Sequence, residues 1–147
     1  MNFAVVSFAD ERGLVVSEEI LATAESVHCQ LRPQLAGRYL STMIRVLNDS
    51  AEMCAVIEGG NVAGLAVFRV YENTFQGKHL YIDDLITDEA LRSRGIGRLI
   101  LNHLTHIAQA RGCGALTLDS GTQRARAHAF YFREGFTITS FHFVKPL

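Results

Sequence analysis

Residues 80–120 constrain the fold more than any other stretch of the chain. They read as the end of an apolar strand (KHLYIDDLIT), a glycine-loosened turn (RSRGIG), a long helix and a second strand (ALTLDS). A strand, a helix and a strand in that order close a crossover. Such crossovers are right-handed in nearly all proteins and set their two strands parallel. The helix is predicted over 95–111, because Ile96, Leu99, Ile100, Leu104, Ile107 and Ala108 share one face at the helical period. Gly112 ends it.

The remaining elements must cover this unit. FAVVSFA (3–9) has the β-branched content of a first strand. SEEILATAESVHCQL opens on a Ser17 cap and an acidic first turn, then carries Ile20, Leu21, Ala24 and Val27 at helical spacing, which predicts one helix. Pro33 is expected to begin a second, with Leu35, Tyr39, Leu40, Met43, Ile44 and Leu47 on one stripe. AEMCAVIEGGNVAGLAVFRVYEN predicts a hairpin turning at Gly59-Gly60-Asn61. RARAHAFYFRE reads as a short helix closed by Gly135, and FTITSFHFV as a final strand. The order β-α-α-β-β-β-α-β-α-β predicts an α+β architecture with a mixed sheet of six to seven strands. Its ligand site is expected at the carboxyl ends of the parallel strands, near a helix N-terminus. With no repeat, low-complexity tract or linker, one domain over 1–147 is expected.

Composition narrows the function classes. A chain of 147 residues buries roughly two-thirds of the surface its unfolded form exposes. Hydrophobic residues at 48% and charged residues at 20% are globular proportions. Fourteen Lys+Arg against fifteen Asp+Glu leave a net charge of −1, which argues against a dedicated nucleic-acid binder, so any basic site must be local. No apolar stretch is long enough for a bilayer, and the N-terminus lacks the basic-then-apolar order of a signal peptide. Cys29, Cys54 and Cys113 are odd in number and lack a CxxC, which favours small, buried, reduced thiols in a cytoplasm. His103 and His106 share a helix face without a third ligand, so no metal site is expected.

Within the turn, Arg92-Ser93-Arg94-Gly95-Ile96-Gly97 and the following Arg98 surround the start of the long helix. Its first N–H groups have no intrahelical partner and carry partial positive charge. Glycines let the backbone approach an anion closely, and the arginines add charge. Together they read as a pyrophosphate cradle; the alternative is a glycine-initiated helix with solvated arginines. Two better-known cradles do not apply: no GK[ST] exists, and GxGxxG needs glycine where Ile100 stands. Asp83 and Asp84 interrupt the preceding apolar strand. Strict alternation puts one on each side of the sheet, and an unpartnered buried carboxylate is costly. At least one is therefore expected to line a cleft, there to bind a substrate ammonium or accept its proton. A structural ion pair is the alternative. His128 and His142 read as structural.

Arg92-x-x-Gly95-x-Gly97, directly after the strand YIDDLIT, resembles the [Q/R]xxGx[G/A] signature of the GNAT (Gcn5-related N-acetyltransferase) superfamily. RARAHAFYFREGF is similar to that family's A-x-x-[LF]-Y-x-x-x-GF helix, with Ala127, Phe130, Tyr131, Gly135 and Phe136 in register. The resemblance covers nearly the whole chain. The stretch DSGTQRARAHAFYFREGFTITSFHFVKPL is similar to the aminoalkylphosphonate acetyltransferases, in which a Glu matches Asp84, and this match favours Asp84 over Asp83. The resemblance implies transfer of an acetyl group from acetyl-CoA to the primary amine of a small molecule, by direct attack in a ternary complex. It implies that Arg92, Ser93, Arg94, Gly95, Ile96, Gly97 and Arg98 hold the pyrophosphate, and that the backbone of Leu85, Ile86 and Thr87 aligns the pantetheine. Asp84 and Asp83 would serve the amine. Tyr131 stands at the general-acid position beside the cofactor; a phenol is protonated at neutral pH and can give its proton to a thiolate, while its alternative is packing. Ser120, with Asp119, is expected near the cysteamine end. Arg124 stands where many members carry Asn, and is expected at a phosphate or at solvent. The alternatives to a small acceptor are a protein lysine or N-terminal acetyltransferase and a non-catalytic acyl-CoA-binding regulatory module. The family's habits add a homodimer. Segments 26–45, 71–79 and 140–145 would set the acceptor, and they carry no readable code.

Overall fold

The computed structural model describes residues 2–147, in two compact units, one ending at Thr117 and the other running from Leu118 to Leu147. In chain order the elements are β1 (Ala4–Asp10), β2 (Gly13–Leu14), α1 (Glu18–Ala22), α2 (Glu25–Leu31), a 3₁₀ turn (Pro33–Leu35), α3 (Tyr39–Leu47), β3 (Glu52–Glu58), β4 (Asn61–Asn73) and β5 (Gly77–Thr87). A second 3₁₀ turn (Glu89–Leu91), α4 (Ile96–Ala110), β6 (Leu116–Leu118) and α5 (Ala125–Arg133) follow. The six strands form one sheet in the order β2-β1-β3-β4-β5-β6. Neighbours from β2 to β5 are antiparallel. At β6 the pattern changes. Gly114 N–H donates to Lys78 O and Leu80 N–H to Ala115 O, at 2.9 and 3.0 Å. The bonds advance the same way along both strands, as the crossover requires.

Local chemistry explains where the elements begin and stop. Gly59 and Gly60 both take left-handed φ, +57° and +81°, the two-residue turn that matches strand twist. Ser17 caps α1, accepting from Ile20 N–H at 3.2 Å. The single helix expected over 17–31 is two, because the chain turns at Thr23, whose hydroxyl donates to Ile20 O at 2.6 Å. Such a local bond competes with helix continuation. Pro33 opens only a 3₁₀ turn; Gly37, at φ +80°, breaks the path before α3. The inward stripe survives, with Leu35, Tyr39, Met43 and Leu47 buried. β2, two residues long, is too short for any periodicity to announce.

The last expected strand does not form. Residues 136–147 carry no regular structure, and Ile138, Phe141 and Phe143 are 69%, 81% and 91% exposed. The alternation slips phase between Ile138 and Phe141, so no single strand face would have been apolar.

Two helical layers cover the sheet. On one face Phe8, Met53, Ala55, Leu65 and Val67 share a core with Leu21, Val27, Tyr39, Met43 and Leu47 of α1–α3. On the other lies α4, with Ile96, Ile100 and Leu104 fully buried. Gly64 sets how closely α4 approaches. A Cβ there would stand 2.8 Å from Ile96 Cγ2 and 2.9 Å from Ile86 O. The first turn of α4 is therefore seated on β4 by the lack of a side chain, beside Thr87, which pairs with Gly64 at the end of β5. Cys54 is buried, which pushes its thiol up to about 12. Cys29 and Cys113 are half-buried, and all three are free thiols.

Candidate active site

β4 and β5 pair Val67 with Asp84 and then Phe68 with Ile82, so Asp83 is an extra residue on β5. This bulge cancels the alternation that would have put the two carboxylates on opposite faces. Both turn to the α2–α3 side. Asp84 meets His28 of α2 and Arg32 at its C-terminal cap. Asp83 meets Arg69, whose Nη1 donates to Asp49 O beyond α3 at 3.2 Å.

The result is one continuous polar array. Tyr39 Oη lies 2.8 Å from His28 Nδ1, and His28 Nε2 lies 2.7 Å from Asp84 Oδ2. Arg32 Nε donates to Asp84 Oδ1 at 2.8 Å, and its Nη2 to Asp83 O at 3.1 Å. Arg69 Nε donates to Asp83 Oδ2 at 2.9 Å. His28 is fully buried. His28 Nε2 donates to the Asp84 carboxylate, and Nδ1 bonds the Tyr39 hydroxyl at the other end of the ring. Burial is also the main reason the Tyr39 phenol is pushed up, so it stays a donor.

The two carboxylates are driven apart. Burial pushes Asp84 up, but the hydrogen bond and charge of His28 and the Arg32 guanidinium outweigh it, leaving Asp84 below the usual range. Burial also pushes Asp83 up; Arg69 only partly offsets it and Asp84 adds repulsion, so Asp83 sits above the usual range. Both Asp84 oxygens are engaged. Oδ1 of Asp83 has no hydrogen-bond partner among the described residues. Asp84 is thus a fixed anion, and Asp83 is the carboxylate better placed to accept a proton. His28 and Arg32 lie 56 and 52 residues from Asp84, beyond any spacing argument. Their one advance signal was a histidine on the same helical stripe as Leu21, Ala24 and Val27.

The loop before α4 is shaped as a cradle. Gly95, at φ +82°, opens α4 with no side chain capping it, and Ser93 is also left-handed at φ +63°. Such turns gather backbone N–H groups on one side, next to the first-turn N–H groups of Ile96 and Gly97, which helix geometry leaves without intrahelical partners. Arg92 and Arg98 are exposed. Arg94 is committed elsewhere. Its guanidinium pairs with both oxygens of Glu58 at 3.0 and 3.4 Å and lies over the Phe3 ring at 5.3 Å. Leu85, Ile86 and Thr87 pair with Ala66, Leu65 and Gly64; alternate backbone groups of such a strand point away from that neighbour. An uncapped helix start, left-handed loop residues and an adjoining strand fit a pyrophosphate with an attached amide-bearing arm.

In the second unit, Ser120 precedes α5 and Arg124 is its N-terminal cap residue. Tyr131, on α5, is half-buried, with Phe130 and Phe136 edge-on at 5.5 and 5.6 Å. His128 Nε2 donates to Gly121 O at 2.8 Å, and exposed His142 stands 3.9 Å from Asp119. Among the described residues no helix is long and apolar enough to cross a membrane, and no group of three or more His, Cys, Asp or Glu could hold a metal ion.

A family model described as the acetyltransferase (GNAT) family matches residues 17–136. A Bacillus subtilis (strain 168) protein described as the uncharacterized N-acetyltransferase YhdJ is 38% identical over 136 residues, spanning 90% of this chain and 96% of that one. The structure of AAC(6')-Iy in complex with the bisubstrate analogue CoA-S-monomethyl-acetylneamine superposes with a TM-score of 0.80 at 12% identity, covering 100% of this chain and 99% of that one. The ribosomal-protein-alanine N-acetyltransferase of Brucella melitensis biovar Abortus 2308 superposes with a TM-score of 0.79 at 14% identity, covering 99% of each. At such identities the two structures share the fold alone.

Proposed function

We propose, from the premise that this chain belongs to the GNAT acetyltransferase family and is an acetyl-CoA-dependent N-acetyltransferase, that its acceptor is the primary amine of a small molecule. The amine attacks the thioester directly in a ternary complex. The observation that carries this reading is the bulged Asp83–Asp84 pair. Its side chains are only 28% and 15% exposed and are paired with Arg69 and Arg32. Such a site suits a compact amine better than a backbone segment of a folded protein.

The roles divide by environment. Asp84, held by His28 and Arg32, stays anionic and attracts the incoming ammonium. Asp83, with its free Oδ1 and raised pKa, takes the proton, directly or through water. The loop from Arg92 to Arg98 holds the pyrophosphate, chiefly through backbone N–H groups, and the backbone of Leu85, Ile86 and Thr87 aligns the arm. Ser120 and Arg124 serve the cofactor's thiol end and a phosphate. Tyr131 gives its proton to the departing thiolate. One catalytic domain over 1–147, a cytoplasmic setting consistent with three free thiols, and a homodimer belong to the same proposal; light scattering tests the last.

Acetyl-CoA consumption measured across aminophosphonates, amino acids, polyamines, aminoglycosides and histone-like peptides tests the acceptor. Turnover with a small amine is expected, and turnover with peptides alone would overturn the reading. Tyr131→Phe is expected to lower kcat by ~10²–10⁴-fold with little change in the Kd for acetyl-CoA. A variant within about threefold of wild type, where chemistry limits the rate, would remove Tyr131 from the mechanism.

A further inference from the structure

The chain leading into the cradle is gripped by a side chain of α2. Gln30 stands 58 and 59 residues from Asp88 and Glu89, yet its amide meets both. Gln30 Nε2 donates to Asp88 Oδ1 at 3.2 Å, and Gln30 Oε1 accepts from Glu89 N–H at 2.9 Å. Turned over, the amide would set its oxygen against a carboxylate and its nitrogen against an N–H group. Asp88 is a firm point to grip. Its N–H donates to Ala63 O on β4 at 2.9 Å, and its Oδ1 accepts from Ala90 N–H at 3.1 Å, capping the 3₁₀ turn.

The same helix grips this stretch a second time. His28 and the cap residue Arg32 meet Asp84, and Arg32 also reaches Asp83 O. Asp83–Asp84 and Asp88–Glu89 bracket Leu85, Ile86 and Thr87, the residues proposed to align the cofactor's arm. One helix is thus bonded on both sides of that segment, with Gln30 at the side that runs on into Arg92–Gly97. Gln30 is exposed, so fixing its side chain costs rotamer freedom with little burial in return. What the two bonds do supply is order in the chain at the mouth of the cradle. A loop already in its binding form does not have to be ordered when the ligand arrives. We propose that Gln30 is a positioning residue for acetyl-CoA, clamping Asp88–Glu89 so that the cradle beyond them is set before the cofactor binds. This rests on the cradle reading above and adds to it a residue from outside the loop.

The test uses the purified full chain, acetyl-CoA titrated by calorimetry, and hydrogen exchange over residues 88–98. Gln30→Met keeps the length and bulk of the side chain and removes both hydrogen bonds. It is expected to weaken acetyl-CoA binding by at least ~3-fold, since a cradle populated for only part of the time binds more weakly by that fraction. Exchange over residues 88–98 of the free protein should quicken while the melting temperature holds, which a purely structural role would not produce. Gln30→Glu combined with Asp88→Asn reverses donor and acceptor at unchanged net charge, and should recover most of the affinity. Melting curves identify a variant that fails to fold, and Gln30→Ala then carries the comparison. If the folded variant binds acetyl-CoA within about threefold of wild type, the inference is overturned while the cradle stands. If acetyl-CoA binds the wild-type chain without slowing exchange over residues 88–98, the cradle reading falls and takes this inference with it.

Discussion

The sheet's two faces near β5 are built by opposite means. At the start of α4 the packing is apolar or backbone: Gly64 admits the helix, Ile96 and Ile100 seal it, and the proposed anion donors are main-chain N–H groups. On the α2 side a polar array threads from Tyr39 through His28, Asp84 and Arg32 to Asp83 and Arg69. The first arrangement rests on close packing and main-chain geometry. The second depends on residues brought together across half the chain, and each member is satisfied by the next. Damage to the α4 side should therefore appear in cofactor binding, and damage to the α2 side in stability and acceptor chemistry.

Four experiments put that contrast at risk. The largest stability effect is expected for His28→Leu, which strands the Tyr39 hydroxyl and one Asp84 oxygen at a fully buried position. A loss of about 2–4 kcal/mol is expected in denaturant unfolding; an unchanged midpoint would mean the array does not stabilise the fold. Gly64→Ala is next, at about 1–3 kcal/mol from overpacking. It should also weaken acetyl-CoA binding by tilting the first turn of α4, while the acceptor KM holds. A rise in acceptor KM without a change in CoA affinity would erase the distinction between the faces.

The third concerns pH. In its proposed role Asp83 must be deprotonated and its pKa is raised, so kcat/KM should fall as pH drops through a value above the ordinary carboxylate range. Asp83→Asn should remove that limb; a limb that persists belongs to another group. Asp84 has the opposite sign. Its folded pKa lies below its unfolded value of about 3.9, so its contribution to stability is present above that value and fades as pH falls through the lowered one. Asp84→Asn should flatten this acid loss. The smallest effect is expected for Glu58→Gln. The Arg94–Glu58 pair is about one-quarter exposed on each side, and such pairs contribute about 0–1 kcal/mol. Stability should barely move, and CoA affinity should rise slightly as Arg94 becomes available to the cradle. A clear loss of affinity would show that Glu58 shapes the loop.

Much of this molecule was readable in advance, and the unreadable parts share a cause. The β3–β4 turn, the Ser17 cap, the start of α4 at Gly95 and the crossover into β6 each follow from residues a few positions apart. The face of Asp84, the commitment of Arg94 and the fate of FTITSFHFV do not. A bulge depends on the register of two strands, and a salt bridge on where a distant side chain ends. A strand also needs a neighbouring edge for its backbone bonds.

Residue order alone dictates the glycine-rich helix start that suits an anion, because φ freedom and unpaired N–H groups are properties of consecutive residues. It also dictates the apolar stripes of α3 and α4, since helical period sorts their residues into inner and outer faces. Folding in three dimensions was needed to put Asp83 and Asp84 on one face, to bring His28 and Arg32 against one of them, and to let Arg69 leave the other an open oxygen. Those outcomes depend on long-range register and burial, which set the charge each carboxylate keeps, and no local pattern encodes them.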